Sequence, residues 1–353
     1  MLETRVLSGQ DGAAIRAAAA AIRSGEPVAF PTETVYGLGA DALDPEAVAR
    51  IFAAKDRPSF DPLIVHLADP GDVRRYAIPA DVADPRVGTL AAAFWPGPLT
   101  IVLRKMPIVP GIVTAGLDTV GLRVPDHPVA LRLIAAAGVP IAAPSANRFG
   151  RVNPTRAEHV VAQLGGRVGI VLDGGPCRVG LESTVILLAE GRAMLLRPGG
   201  TPTEAIEALI GPLGGPGSAP EAIEALIGPL GGPGSAPGSA SLAPGRSTSH
   251  YAPHARVDLV AADAGSAAGP GERLGLLAGD ERSRRAAESD GGPYAAVEIL
   301  SPSGDELEAA ANLFEALHRL DAGGVDRIVA QAVAERGLGR AIMDRLRRAA
   351  ARG

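Results

Sequence analysis

Between Gly211 and Gly245 the chain is dominated by Gly, Pro, Ser and Ala. A stretch of that composition cannot bury a core, so this 353-residue chain must fold as two units joined by a linker. The stretch carries a perfect tandem duplication. EAIEALIGPLGGPGSAP runs from Glu204 to Pro220 and again from Glu221 to Pro237. Two copies are too few for a solenoid. The first copy completes a helix begun near Thr203. The second repeats its apolar face (Ile223, Leu226, Ile227) inside the linker and reads as a replication slip rather than a docking helix. The arginine-rich composition, in which Lys55 and Lys105 are the only lysines, suits such a GC-rich gene. The expected division is therefore 1–210, 211–255 and 256–353.

Residues 1–210 alternate apolar runs with helical stretches. Strands are expected at Val28–Phe30, Leu63–Leu67, Leu99–Leu103, Val120–Val124, Val139–Ala143, Gly169–Leu172, Val185–Leu188 and Met194–Leu196. Asp11 caps a helix to about Arg23, and further helices fall near 45–54, 128–137 and 155–164. Several connections are too short for parallel crossovers, so the α/β sheet is mixed. After Arg256 the alternation returns, with strands at Val257–Val260, Leu274–Leu277, Ala296–Leu300 and Arg327–Ala330 and helices near 305–321 and 339–351. That predicts a smaller three-layer, Rossmann-like α/β unit. The net charge of −5 argues against coating nucleic acid by bulk charge. The single cysteine, Cys177, excludes an intramolecular disulfide framework and suits a reducing cytosol. No leader-like segment opens the sequence, and Leu133 to Pro144, the longest apolar stretch, is too short to span a bilayer. A cytoplasmic protein is expected.

The common nucleotide-enzyme signatures are absent: neither lysine follows a glycine as a Walker A lysine would, and no G-x-S-x-G elbow occurs. His250 and His254 flank Pro253, which argues against a helical metal pair. Instead, polar clusters recur where apolar runs end: PTETVYGLG (Pro31–Gly39), KDRP (Lys55–Pro58), PLIVH (Pro62–His66), Arg123, PSAN (Pro144–Asn147), EST (Glu182–Thr184) and LRPG (Leu196–Gly199). Open α/β sheets line ligand crevices in this way. Lys55, Arg57, Arg123 and Arg197 would supply four cations to an anionic ligand carrying phosphates and a carboxylate. Singly, each has a plainer reading: Arg123 and Arg197 as surface arginines, His66 as a core histidine, Ser183 and Thr184 as turn caps. Cys177, His159 and His318 keep theirs.

Taken in order, PTETVYGLG, KDRP, DPLIVH, FWPGPLT, LRVPDHP, PSAN and ESTV resemble the YrdC-type threonylcarbamoyl-AMP synthase family, and the Pro244–Pro253 segment with the unit after it resembles its longer two-domain members. The resemblance implies a twisted open mixed sheet with a concave basic cleft. It also implies a nucleotidyltransferase that condenses ATP, L-threonine and bicarbonate or CO2 to threonylcarbamoyl-adenylate and pyrophosphate, with Mg2+ on the ATP. A downstream complex would transfer the group to tRNA, and weak tRNA contact is compatible with the cleft. The catalytic pair implied is Lys55 and Arg57. The ATP set adds Asp61, Thr119, Ser145, Asn147, Asn153, Arg197 and Tyr251, the last on a linker segment folded over the nucleotide. The threonine set is Thr34, His66, Arg123, Ala143 and Ser183, with Arg123 on the carboxylate. No protein metal ligands are implied. This chain departs from the family pattern at Asp61, usually Asn, at Asn153, usually a small hydroxyl residue, and at Arg246, often apolar. An acid beside ATP phosphates would be repelled unless it helped to hold the metal. Two rival functions remain, a carbamoyl-adenylate-dependent carbamoyltransferase and a double-stranded RNA-binding module. The first lacks the extra catalytic modules, and the second fits poorly with the acidic balance and 3% aromatic content.

Overall fold

The computed structural model describes residues 2–57, 61–189, 191–215, 250–291 and 294–351. Pro58, Arg246 and the second copy of the duplication lie outside them. Ten strands form one sheet: β1 (Arg5–Ser8), β2 (Val28–Phe30), β3 (Gly37–Asp41), β4 (Ile64–His66), β5 (Leu99–Arg104), β6 (Thr119–Arg123), β7 (Ile141–Ala142), β8 (Ile170–Asp173), β9 (Thr184–Ala189) and β10 (Arg192–Arg197). Their order is β1-β8-β2-β3-β7-β4-β6-β5-β9-β10. The sheet is mixed: β4 pairs parallel with β6 and β5 with β9, whereas β2–β3, β5–β6 and β9–β10 are antiparallel. A second sheet of β11 (Arg256–Val260), β12 (Leu274–Ala278), β13 (Ala296–Ile299) and β14 (Arg327–Gln331) is wholly parallel, in the order β11-β14-β12-β13.

Local chemistry sets the helices that matter. Asp11 accepts a hydrogen bond from the Ala13 amide at 2.8 Å and starts the helix Gly12–Arg23. Asp44 caps the helix Pro45–Lys55, with Pro45 in its first turn. That helix stops at Asp56 in the left-handed region (φ 53°, ψ 39°), and the turn leaves Lys55 and Arg57, on either side, both buried. Asp56 itself faces outward and pairs with Arg148 and Arg167.

Register brings the polar strand ends together. His66 and Arg123 are direct neighbours on the parallel strands β4 and β6. β5 aligns Leu99 with Thr184 of β9, and β9–β10 pairs Val185 with Arg197. The apolar cores are not separate by unit. Val35, Val152, Leu181 and Tyr251 cluster with Leu313, Phe314, Leu317, Ile342 and Leu346 from the helices Glu306–Ala322 and Gly339–Ala350.

Some elements escape the sequence reading. β1 and β3 form where no strand is expected, as do the helices Pro85–Phe94 and Glu281–Gly291. β3 is glycine-rich for a packing reason. A Cβ on Gly39 would sit 2.4 Å from Ile141 Cγ2 and 2.6 Å from Phe30 Cε1. Gly39→Ala is therefore expected to destabilise the fold by about 1–3 kcal/mol, measured as a lowered denaturant midpoint; an unchanged midpoint would contradict the packing.

Candidate active site

A cavity of about 50 Å³ opens above the sheet, walled by Thr32, Thr34, Arg57, His66, Arg123, Ala143, Ser145, Glu182, Ser183, Arg197 and His250 among others. At one end Arg123 is fully buried. Its Nη2 donates to Glu33 Oε1 at 2.6 Å and to Thr34 Oγ1 at 3.0 Å, and its Nε to the Gly97 carbonyl at 3.2 Å. Glu33 also accepts from the Asp126 amide at 3.0 Å. The guanidinium is thus held on one side and meets the cavity with the other. His66 stands beside it. Burial, reinforced by Arg123, pushes its imidazole down to about 3, so the ring is neutral at physiological pH. Ser183 is hydrogen-bonded to Thr100 at 2.8 Å.

At the other end Arg57 pairs with Asp61 at 2.8 Å, both side chains buried, and donates to the Pro62 carbonyl at 3.1 Å. This accounts for the acid in the DPLIVH motif: its charge is matched within the protein. Lys55 donates to the carbonyls of Ser145 and Asn147. Burial, with Arg57 alongside, holds its ammonium well below the usual lysine range. Asn147 braces the following loop, its amide donating to the carbonyls of Arg148 and Arg151 at 2.8 Å.

The third wall joins the two sheets. Arg197 donates to the Ser183 carbonyl at 2.9 Å and Oγ at 3.3 Å. Gly199 lets the two backbones approach so closely that a Cβ there would lie 2.4 Å from Glu182 O and Thr184 N. Burial alone would raise Glu182, but Arg345 and Arg197 hold it well below the usual carboxylate range. His250 projects into the cavity, edge-on to Phe149 (5.6 Å) and Tyr251 (4.1 Å). Its backbone amide donates to Arg348 O at 3.3 Å, and that of Ala252 to Gly150 O at 2.9 Å, so this segment is strapped to both units. Tyr251 adopts φ +64°, which a non-glycine residue holds only when its surroundings impose it.

Of the residues singled out from sequence, Thr34, Arg57, His66, Arg123, Ala143, Ser145, Ser183 and Arg197 share the cavity wall. Lys55, Asp61, Asn147 and Tyr251 lie behind it. Asn153 is buried, and neither amide atom has a partner among the described residues. Thr119 lines a different cavity, with Leu63, Thr100 and Thr114. The sequence reading missed Glu33, Glu182, His250 and Arg345. Glu33 and Glu182 lay inside motifs it had picked out; their signal was an acid beside a buried cation, visible only with the partner in place.

Residues 20–199 match the Sua5/YciO/YrdC family, described under telomere recombination, and residues 204–351 match the C-terminal domain of threonylcarbamoyl-AMP synthase. Threonylcarbamoyl-AMP synthase of Pyrococcus abyssi is 45% identical over 95% of this chain and 93% of its own length. The chain belongs to the threonylcarbamoyl-AMP synthase family. The family's enzyme from Bacillus subtilis is 42% identical over 95% of this chain and 92% of its own. Among solved structures, P. abyssi Sua5 complexed with L-threonine superposes with a TM-score of 0.79 at 40% identity, covering 99% of this chain and 97% of that one. A variant of that protein with a consecutive histidine and tyrosine changed to alanine gives 0.80 at 40% identity, covering 98% and 96%. The two-sheet architecture of this family member is thus shared over the whole length.

Burial holds the imidazoles of His66 and His250 at about 3 and that of His159 at about 4, below the ordinary 6.5, and lowers those of His127 and His318 as well. Between pH 6.5 and 4 the unfolded chain therefore binds more protons than the folded one. Stability is full above pH 6.5 and falls as pH drops, by ~1.4 kcal/mol per pH unit for each fully buried imidazole. Denaturation at pH 7.5 and 5.5 should show this loss, with a shallower slope for His66→Asn; equal stability at both pH values would refute it.

Proposed function

We propose that this chain makes L-threonylcarbamoyl-adenylate from ATP, L-threonine and bicarbonate or CO2, releasing pyrophosphate. The observation that carries the reading is the meeting, in one cavity, of Arg123 and Thr34 at one end with Arg57, Ser145 and Arg197 at the other. One end suits a small amino acid and the other a polyphosphate. In this reading residues 1–210 are the catalytic unit, 211–255 the linker, whose His250–Ala252 segment covers the site, and 256–353 the second unit.

The threonine carboxylate meets the cavity side of Arg123, whose other side is fixed by Glu33. Neutral His66 lies beside it, so no second cation repels the threonine amine. The neutral amine attacks the carbon of CO2, one carbon–oxygen π pair moves onto oxygen, and the nitrogen gives a proton to water, leaving a carbamate. A carbamate oxygen attacks the α-phosphorus, the bond to the bridging oxygen breaks, and pyrophosphate leaves with the electron pair. The protein's part is to align the carbamate and phosphate, to offset charge and to exclude water. Arg57, Ser145 and Arg197 face the phosphates, and Lys55 reaches them once released from the two carbonyls it now serves. Asn153 supplies amide contacts to the nucleotide. Thr119, on its separate cavity, is the weakest member of the ATP set.

Mg2+ accompanies the ATP as part of the substrate. Among the described residues no three His, Cys, Asp or Glu side chains converge, and Asp61 and Glu182 are already matched by arginines. Ligand pockets typically span ~300–1,000 Å³, far above the 50 Å³ found here. His250 and Tyr251 must therefore withdraw before ATP binds and return over it afterwards. The product would pass to a tRNA-modifying complex in the cytoplasm.

The test is pyrophosphate release by the purified full chain. Release that requires both L-threonine and bicarbonate is expected. Release supported by carbamoyl phosphate without threonine would replace this reading with the carbamoyltransferase one. Arg57→Ala is expected to lower turnover by 100-fold or more, on the order seen when a preorganised charge contact is removed, and so is Arg57→Ala/Asp61→Asn, which leaves no unmatched carboxylate and keeps the fold by circular dichroism. Near-normal turnover would sink the phosphate assignment.

A further inference from the structure

The C-terminal helix Gly339–Ala350 sends Arg345 into the interior of the protein, where its side chain is wholly buried. Its Nε donates to Glu182 Oε2 at 3.0 Å, and its Nη1 to the Pro198 carbonyl at 2.6 Å and to Asp344 Oδ2 at 3.0 Å. Its Cζ lies 5.6 Å from the centroid of the Tyr251 ring, whose other neighbours are Phe314 and His250. Arg345 does not line the cavity, but apart from Asp344 on its own helix the groups it holds lie in the cavity wall, next to it or over it. Glu182 is in the wall. Pro198 precedes Gly199 and Gly200, which lie against the Glu182–Thr184 backbone, with Gly200 N donating to Glu182 O at 2.8 Å. Tyr251 anchors the covering segment.

We propose that Arg345 is a positioning residue for the nucleotide end of this site, and that this is what the second unit contributes to the reaction. One planar fork ties three otherwise independent pieces together: the Glu182–Ser183 wall that receives Arg197, the turn after Arg197, and the seat of Tyr251. A lysine would keep the charge but not the fork, and could not serve all three. The threonine end leans on it far less: its carboxylate anchor Arg123 is fixed by Glu33, Thr34 and Gly97, and only Ser183 belongs to the wall that Arg345 holds. The effect should therefore divide between the two substrates. This inference rests on the synthase reading.

The experiment measures binding of a non-hydrolysable ATP analogue and of L-threonine by calorimetry, on the full-length wild type and on Arg345→Lys, Arg345→Met and the double variant Glu182→Gln/Arg345→Met. The double variant leaves no unmatched carboxylate, and the single variant Glu182→Gln, in which Arg197 likewise loses its carboxylate, separates that loss from the loss of the fork. The expected result is nucleotide affinity weakened on the order of tenfold in both Met-bearing variants and partly retained with lysine. Threonine affinity should stay within about twofold and the double variant's unfolding temperature near wild type. Unchanged nucleotide affinity in folded variants overturns the proposal. So does a parallel loss of both affinities that follows the unfolding temperature, because that is what a merely structural arginine would give. A wild type that binds no nucleotide overturns the synthase reading itself, and the proposal with it.

Discussion

The structure depends on matching charge that has been taken out of water. Lys55, Arg57, Arg123, Arg197 and Arg345 are all buried, and a buried cation without a partner is strongly destabilising. Each has been answered within the fold. Asp61 takes Arg57, Glu33 takes Arg123, Glu182 lies between Arg345 and Arg197, and Lys55 is satisfied by two backbone carbonyls. The elements are arranged around these pairings. The left-handed stop at Asp56, the β4–β6 register and the close backbone approach at Gly199 each bring a cation to its acceptor.

Around the cavity, among the described residues, five buried cations stand against three buried carboxylates and the part-buried Asp344, which leaves a surplus of positive charge. That surplus is what an anionic substrate would neutralise, so ligand binding completes an electrostatic balance that folding leaves unfinished. Some buried polar atoms are likewise left without a partner. Arg57 Nε, His250 Nδ1 and both amide atoms of Asn153 have no partner among the described residues, and such atoms mark where a ligand or solvent must serve. His66, held neutral, adds no second charge beside Arg123.

Much of this was legible in the residues. Asp11 and Asp44 announce their helices, and the apolar runs at Val28, Leu99, Val185 and Arg327 gave strands within a residue or two, because cap and burial signals are local. The misses have physical causes. β3 is glycine-rich because Ile141 and Phe30 fill the space a side chain would need, and the tighter of the two, Ile141, is distant in sequence. The helix Glu281–Gly291 is almost all polar and so lacks an apolar stripe to read. Glu33 and Arg123 are 90 residues apart and Glu182 and Arg345 are 163 apart. No local pattern ties such partners together, so their acids looked incidental until the fold supplied the cations.

The segment from His250 to Ala252 shows why one sheet alone would not be enough for this site. Its amides hang from Arg348 on one side and Gly150 on the other, and Tyr251 is wedged between Phe314 and Arg345 in a backbone conformation it would not adopt unaided. A strained residue persists only where the surroundings over-determine it, and here those surroundings come from both units. Close by, His159 and His318 stack at 3.8 Å across the same junction. Burial lowers both rings from their ordinary titration range, which disfavours a charge on either face of the stack. The cover over the cavity is thus as stable as the contact between the units. Anything that loosens that contact raises the energy of the closed arrangement directly, because the strain at Tyr251 no longer has anything to hold it.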